Sequence, residues 1–246
     1  MTQKASWTRK EWEAWPARKR ARAMNSLSGF KSATLVGTSD TDGVNNLSIV
    51  SSVVHLGSSP AQMGVVLRPP GADAHTYKNI KATGQCTFSH VHADWLEKAH
   101  QCSARYPADV SEFEEVGLTP YRKTMDEGRT AWKAPAVAEA SIRMGLTLVE
   151  DIALPNGCRF LVLAVEWAQV EGTAWRGDGY LDIAQAGTVT ISGLDGYHRA
   201  ESLGRWSYAQ PGVEVQRLDD EHSGWRDEES AHRCQAVFMW FGSNAT

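Results

Sequence analysis

Long apolar runs are missing from these 246 residues. None approaches the roughly 18 residues that a membrane-spanning helix needs. The first residues also lack the apolar core of a secretory signal. Cysteine is sparse: Cys86, Cys102, Cys158 and Cys234 stand far apart, with no CxxC pair. That spacing excludes a disulfide framework and reads as thiols in a reducing compartment, so a cytoplasmic protein is expected. A basic excess is lacking as well. The formal charge is −4, which argues against a nucleic-acid partner. No GxGxxG follows a strand, so a Rossmann nicotinamide site is excluded. No nucleophile elbow is present to support Ser-His-Asp hydrolysis. There is no internal repeat and no low-complexity tract.

What remains is the composition of an ordinary globular chain, 42% apolar and 22% charged, with an unusually high ten tryptophans. Residues 1–23 form an arm. Thr8 to Glu11 fits a capping box, and Trp12 and Trp15 follow at helical spacing. Arg18, Lys19, Arg20 and Arg22 then cluster. A nucleic-acid patch is one reading. The acidic total favours a short amphipathic helix that packs its tryptophans on the body and leaves its charges in water.

The body, residues 24–199, reads as short strands joined by turns. Strands are expected at 33–38, 47–56, 63–67, 86–90, 140–150, 159–170 and 189–191. Asp42-Gly43 marks a hairpin, and Pro155-Asn156-Gly157 marks another turn. Helices are expected at 76–83, closed by Gly84, at 94–103, and from 111 to just before 117. Residues 121–134 read as an irregular excursion. In the extension 200–246, acidic residues outnumber basic ones seven to two between Glu214 and Glu229. Within it, Ala236 to Phe241 is apolar enough to dock. Turn-linked strands with few helices favour an antiparallel barrel over a doubly wound sheet, because closure removes exposed strand edges.

One segment carries a chemical signal. Arg68 ends an apolar strand, a Pro-Pro-Gly loop follows, and His75, Thr76, Tyr77 and Asn79 open a helix. A guanidinium fork, a hydroxyl and free helix N–H groups are suited to an anion. Alone, the segment is equally a capped helix behind a surface loop. A metal cluster at His90, His92, His100 and Cys102 is rejected, because no carboxylate or second histidine pair completes it.

The succession NSLSGFKSATLVGT (25–38), DGVNNLSIVSSVVHLGSSP (42–60), RPPGADAHTYKNIKATG (68–84), AHQCSARY (99–106) and SEFEEVGLTP (111–120), with the strand near 159–170, resembles the flavin reductase-like, FMN-binding split-barrel family, in its flavoredoxin-like branch. The resemblance spans roughly residues 24–200. It implies a mainly β fold with inserted helices, a Greek-key split β-barrel, usually homodimeric, with FMN near the subunit interface. It implies Asn46, Ser48, Ser51, Ser52 and Val53 along the isoalloxazine. Arg68, His75, Thr76 and Asn79 would sit at the phosphate, and Thr38 at a strand end facing the flavin. His100, Ser103 and Tyr106 would contact the flavin edge or its substrate, with His100 able to donate a proton near neutral pH.

Three functions fit. The first is an NAD(P)H-dependent flavin reductase that feeds a partner oxygenase. The second is an FMN-retaining oxidoreductase acting on a specific organic molecule, and the third is a non-enzymatic flavin-binding protein. The arm, the excursion and the extension depart from the simplest reductases. So does GLDGYH (193–198), which lacks the arginine-containing glycine motif of some nicotinamide users.

Overall fold

The computed structural model describes residues 4–125 and 131–218. The tip of the excursion and the apolar segment Ala236 to Phe241 lie outside the described residues.

The chain opens with two helices, α1 (Arg9–Ala14) and α2 (Ala17–Leu27). The capping box forms: the Glu11 carboxylate accepts the Thr8 N–H at 2.6 Å and the Thr8 hydroxyl at 2.8 Å. The arm tryptophans do not pack on the body as expected. Trp7, Trp12 and Trp15 pack on one another, with ring centroids 5.1 to 5.5 Å apart. Arg20 clamps this small core by donating to the carbonyls of Trp12, Glu13 and Trp15. The mutual packing leaves Trp7 exposed and Trp12 and Trp15 half-buried.

The body is a strand meander. In chain order come β1 (Lys31–Ser32), β2 (Thr34–Ser39), β3 (Asn45–Val50), β4 (Val53–Ser58) and β5 (Ala61–Leu67). Helix α3 (His75–Thr83) leads to β6 (Gln85–His90), α4 (Leu96–Gln101) and α5 (Glu112–Val116). Short β7 (Pro120–Tyr121) and β8 (Ala136–Val137) flank the excursion, followed by the long pair β9 (Ile142–Ala153) and β10 (Arg159–Val170). Then come β11 (Val189–Ser192) and β12 (Gly196–Arg199), and a last hairpin of β13 (Arg205–Trp206) and β14 (Arg217–Leu218).

Seven strands form one antiparallel sheet in the order β3-β2-β6-β9-β10-β5-β4. The sequence reading of one strand over 47–56 is corrected here. The chain breaks at Ser51-Ser52, and its two halves, β3 and β4, become the opposite edges of the sheet. Two residues therefore join the two edges of a seven-stranded sheet, which forces the sheet to curl into a barrel that stays split along that seam. β3 forms a hairpin with β2, turned at Asp40 to Gly43, where the Asp40 carboxylate accepts the Asp42 and Val44 N–H groups.

Barrel and outer shell share β2, which is buried at every position. That is why ATLVGT reads as a continuous apolar run rather than an alternation. Inside the barrel, Val36, Val65, Phe88, Leu146, Leu161 and Leu163 pack with Ile80 of α3. Outside, Leu35 and Leu47 pack with Phe113 of α5 and with Val189 and Ile191 of β11. Gly84 ends α3 in the left-handed region, at φ 71°, as its sequence position predicts.

Candidate active site

A cleft of about 560 Å³ opens at the seam of the barrel. Its size falls within the range of small-molecule sites. One wall is the end of β3 and the seam itself, from Asn46 through Ser48 to Ser52, with Val66 to Pro69 and the start of α3. The facing wall comes from the end of α4, His100 to Tyr106, and from Ile191, Leu194 and Tyr197 of the β11–β12 hairpin. Asn25 of α2 and Glu112 of α5 complete it.

The first wall is held by a polar network. The Thr76 hydroxyl takes a hydrogen bond from Asn46 Nδ2 at 2.9 Å and shares one with Ser48 Oγ at 2.7 Å. Behind it, Thr38 Oγ1 accepts from Asn46 Nδ2 at 3.3 Å and from Asn79 Nδ2 at 3.2 Å. The start of α3 is thereby tied to the face of β3. Because Thr76 accepts from Asn46, its own hydrogen can turn to Ser48. The Ser48 hydrogen is then available to a ligand in the cleft. Ser52 Oγ donates to the Val66 carbonyl at 2.7 Å, which ties the seam residues to β5.

The other side of α3 is anchored by charge. Tyr77 donates to Asp151 at 2.9 Å, and Lys81 and Arg159 pair with the same carboxylate at 3.0 and 2.7 Å. Burial pushes Asp151 towards its neutral form, but the hydrogen bonds from Arg159, Lys81 and Tyr77 outweigh this and hold its pKa down at about 2. The anchor fixes the helix whose first turn, His75 and Thr76, faces the cleft.

On the second wall, His100 Nδ1 and the Tyr197 hydroxyl lie 2.9 Å apart, with their rings edge to face. Gln101 donates to the Tyr106 hydroxyl at 3.1 Å. Burial, and then the Asp195 charge, raises the pKa of Tyr197, so its hydroxyl keeps its proton. Arg105 reaches back across the mouth to Asp73 at 3.2 Å. Arg68, Arg105 and His75 give the mouth cationic or protonatable groups.

The structure brings ten of the residues singled out in the sequence to this cleft: Asn46, Ser48, Ser51, Ser52, Arg68, His75, Thr76, His100, Ser103 and Tyr106. It places three elsewhere. Thr38 and Asn79 are buried behind the wall, where they support Asn46. Val53 begins β4 and packs against the barrel interior. Tyr197, Leu194, Glu112 and Asn25 were missed. They come from three places far apart in sequence, α2, α5 and the β11–β12 hairpin, and none carries a local pattern. The only signal was that Asn25 and Glu112 fall within segments of the family succession, 25–38 and 111–120. Among the described residues, neither the arm, the excursion nor the extension lines the cleft; helix α2 runs on from the arm into the body at Asn25. Asn25 lines the cleft while its carbonyl accepts the Lys31 ammonium at 2.8 Å, and Arg22 pairs with Asp195 on the β11–β12 turn. The described part of the excursion packs instead around Trp132 and Trp167. The β13–β14 hairpin docks on the 172–186 segment, with Arg205 pairing Asp178 and stacking on Tyr180.

A model of the flavin reductase like domain matches residues 27–194. The chain belongs to that family. The match spans the barrel, the seam and the cleft lining apart from Asn25 and Tyr197. Among solved structures, this flavin reductase-like chain is similar to a split-barrel protein of Shewanella frigidimarina assigned as a flavin reductase. The two are 43% identical over 84% of this chain and 100% of the other, with a TM-score of 0.78. It is also similar to nitrilotriacetate monooxygenase component B of Bacillus cereus, at 17% identity over 83% and 100%, with a TM-score of 0.72. A third is the Streptomyces globisporus NADH:FAD oxidoreductase, at 15% identity over 76% and 96%, with a TM-score of 0.55. The last two share the fold. No curated protein matches the chain. Family membership makes it a flavin-dependent oxidoreductase, and the non-enzymatic reading is set aside.

The cleft suits a flavin. A row of small hydroxyl side chains lets a flat ring lie close to β3, and the cationic mouth matches a phosphate. Among the described residues no three His, Cys, Asp or Glu side chains stand together as a metal site would require.

Proposed function

We propose that this chain binds FMN in the seam cleft and reduces it with NADH or NADPH, as a cytoplasmic homodimer that passes reduced flavin to a partner oxygenase. The observation that carries the reading is the pairing of a hydroxyl-lined wall at Asn46 to Ser52 with the cationic mouth of Arg68 and His75, in one cleft of suitable size. Arg68 and His75 would hold the phosphate. Ser48, Ser51 and Thr76 would bond or border the ring, while Thr38 and Asn79 brace Asn46 from behind.

Bound FMN supplies the hydride-accepting chemistry. The protein's task is to present one ring face to a second reactant and to exclude water. His100, Ser103 and Tyr106, opposite the hydroxyl wall, border the space where that reactant would lie. Tyr197 fixes the His100 ring through the 2.9 Å contact, so a proton on His100 is held in a defined direction. No nucleophile is required, which accords with the absence of a dyad or triad.

The partner and the donor are supported by the kinds of protein that share the fold, a monooxygenase component and an NADH:FAD oxidoreductase. The dimer is supported by the apolar outer side of β4, where Val54 and Leu56 are exposed and Phe160 lies over Gly64. The three described cysteines are unpaired, which suits a reducing compartment.

A second reading has its own observation. Asn25 of α2 stands in a wall that also carries Leu194 and Tyr197, and such an enclosure suits an FMN-retaining enzyme with a specific organic substrate. Stopped-flow oxidation of NADH and NADPH with free FMN separates the two. Donor oxidation that saturates with added FMN is expected. No turnover with either donor overturns the reductase reading, and FMN that stays bound through gel filtration favours the second.

A further inference from the structure

Glu112 is a carboxylate in the cleft wall that no feature of the proposed reaction uses; the other, Asp73, pairs with Arg105. Glu112 is only 6% exposed, yet it borders the same space as Asn46, Ser48 and Thr76. It is held in place, because its Oε2 accepts the Leu47 N–H at 2.8 Å. That N–H lies on β3, an edge strand of the sheet, where a neighbouring strand would otherwise supply the acceptor. Glu112 therefore does a structural task that glutamine would do equally well.

Its surroundings give a reason for the acid. None of the ion pairs among the described residues includes Glu112. The groups that face it are His75 at the start of α3, Cys102 after α4 and the Leu47 amide of β3. The Cys102 thiol is pushed up to about 12, first by burial and then by the Glu112 charge, so it stays neutral through the physiological range. Glu114 and Glu115 of the same helix are exposed. Burial raises the Glu112 pKa, and the Leu47 N–H only partly offsets this. A carboxyl so placed holds its proton to higher pH than a surface glutamate does.

We propose that Glu112 is the acid that couples the charge of the cleft to its occupant, taking up a proton from solvent when the bound flavin becomes anionic. The inference rests on the reading of the cleft as the FMN site. In the coupled step one proton moves from water to the Glu112 carboxylate and forms the neutral acid; no bond of the flavin changes in that step. The two electrons and the added hydrogen on the ring come from the nicotinamide hydride, and the donor leaves as its oxidised cation. The coupling is reciprocal. An anionic ring favours protonated Glu112, and ionised Glu112 weakens the hold on reduced flavin. For an enzyme that must release reduced flavin, this provides a pH-dependent release term.

The sign is fixed. Below its pKa Glu112 is neutral and does not oppose an anionic ring, whereas above it the carboxylate does. Affinity for reduced relative to oxidised FMN should therefore fall as pH rises through the Glu112 pKa.

The test is anaerobic titration of wild type and Glu112→Gln with oxidised and with photoreduced FMN, between about pH 5 and pH 8. Gln keeps an acceptor for the Leu47 N–H and removes the titrating proton. Ionisation of free FMN is common to both proteins and cancels in the comparison, and His75→Asn placed in both backgrounds removes the imidazole that faces Glu112. At the acid end the two proteins should show the same ratio of affinities. At the alkaline end the variant should favour reduced FMN about tenfold more than wild type does, the equivalent of one pKa unit of coupling. Ratios that agree at every pH overturn the proposal. A second measurement needs no variant: in weakly buffered solution, reduced FMN should draw additional protons into wild-type protein, and oxidised FMN should not. Zero difference overturns it as well. If neither form of FMN binds, the reading of the cleft falls with it, whereas binding without a pH-dependent difference removes only the role of Glu112.

Discussion

At the scale of single residues, the cleft depends on side chains that never face it. Thr38 is fully buried, yet through Asn46 and Asn79 it sets the position of the hydroxyl wall. Thr76 sits at the start of a helix, where a phosphate contact would be natural, but its hydroxyl is already engaged by Asn46 and Ser48. Arg68, which is exposed at the mouth, has no such engagement among the described contacts. The two residues should therefore respond differently to mutation. Arg68→Ala removes a charge-assisted contact worth about 1.5–3 kcal/mol, so FMN affinity should fall by about tenfold or more, while riboflavin, which lacks the phosphate, should be little affected. Thr76→Val breaks the wall and should weaken both ligands alike. Quenching of flavin fluorescence measures all four affinities. Equal losses for the two ligands in Arg68→Ala would remove that residue from the phosphate site.

At the scale of elements, the seam at Ser51-Ser52 is decisive. LSIVSSVVHL has the alternation and β-branched content of a single strand, and nothing local announces the break. The break is a tertiary decision: β3 must pair with β2 and β4 with β5, at opposite edges of the curled sheet. Strand, helix and hairpin positions were otherwise legible, because periodicity, Gly84 and Asp42-Gly43 are local signals. The short strands β1, β7, β8, β12, β13 and β14 were not, since two to four residues carry too little pattern to read. The long pair β9–β10 contains one requirement that the sequence hides. A register shift between Val165 and Trp167 lays the Trp167 indole over Gly145. A Cβ on Gly145 would stand 2.1 Å from Trp167 Nε1. Gly145→Ala must displace a buried indole that packs with Trp132, at a cost of about 1–3 kcal/mol. Urea unfolding should show that loss, and Gly145→Ala combined with Trp167→Leu should recover part of it.

At the scale of the whole molecule, the barrel leaves an apolar strip on β4. Val54 is 46% exposed and Leu56 41%, beside the Phe160 ring that covers Gly64. Val54→Lys should shift the protein from dimer to monomer in sedimentation equilibrium while leaving the monomer folded, because the side chain is outside the core. A monomeric wild type, or a dimeric variant, would place the subunit interface elsewhere. The arm belongs to this scale too. Its tryptophans form their own small core, and α2 is joined to the β11–β12 turn through Arg22 and Asp195. Of the feature that looked like a basic patch in the sequence, Arg22 thus touches the turn behind the second wall, at Asp195.

The sequence by itself determined the class of fold, the positions of the main strands and helices, and the segments that supply the cleft. Each of these rests on local periodicity, on turn chemistry or on an ordered succession of short motifs. Only the tertiary structure decided where the barrel splits, which polar residues face the cleft and which brace it, and that Glu112, Tyr197 and Asn25 converge on it. Convergence of that kind depends on contacts between residues tens of positions apart, and such contacts leave no period in a chain.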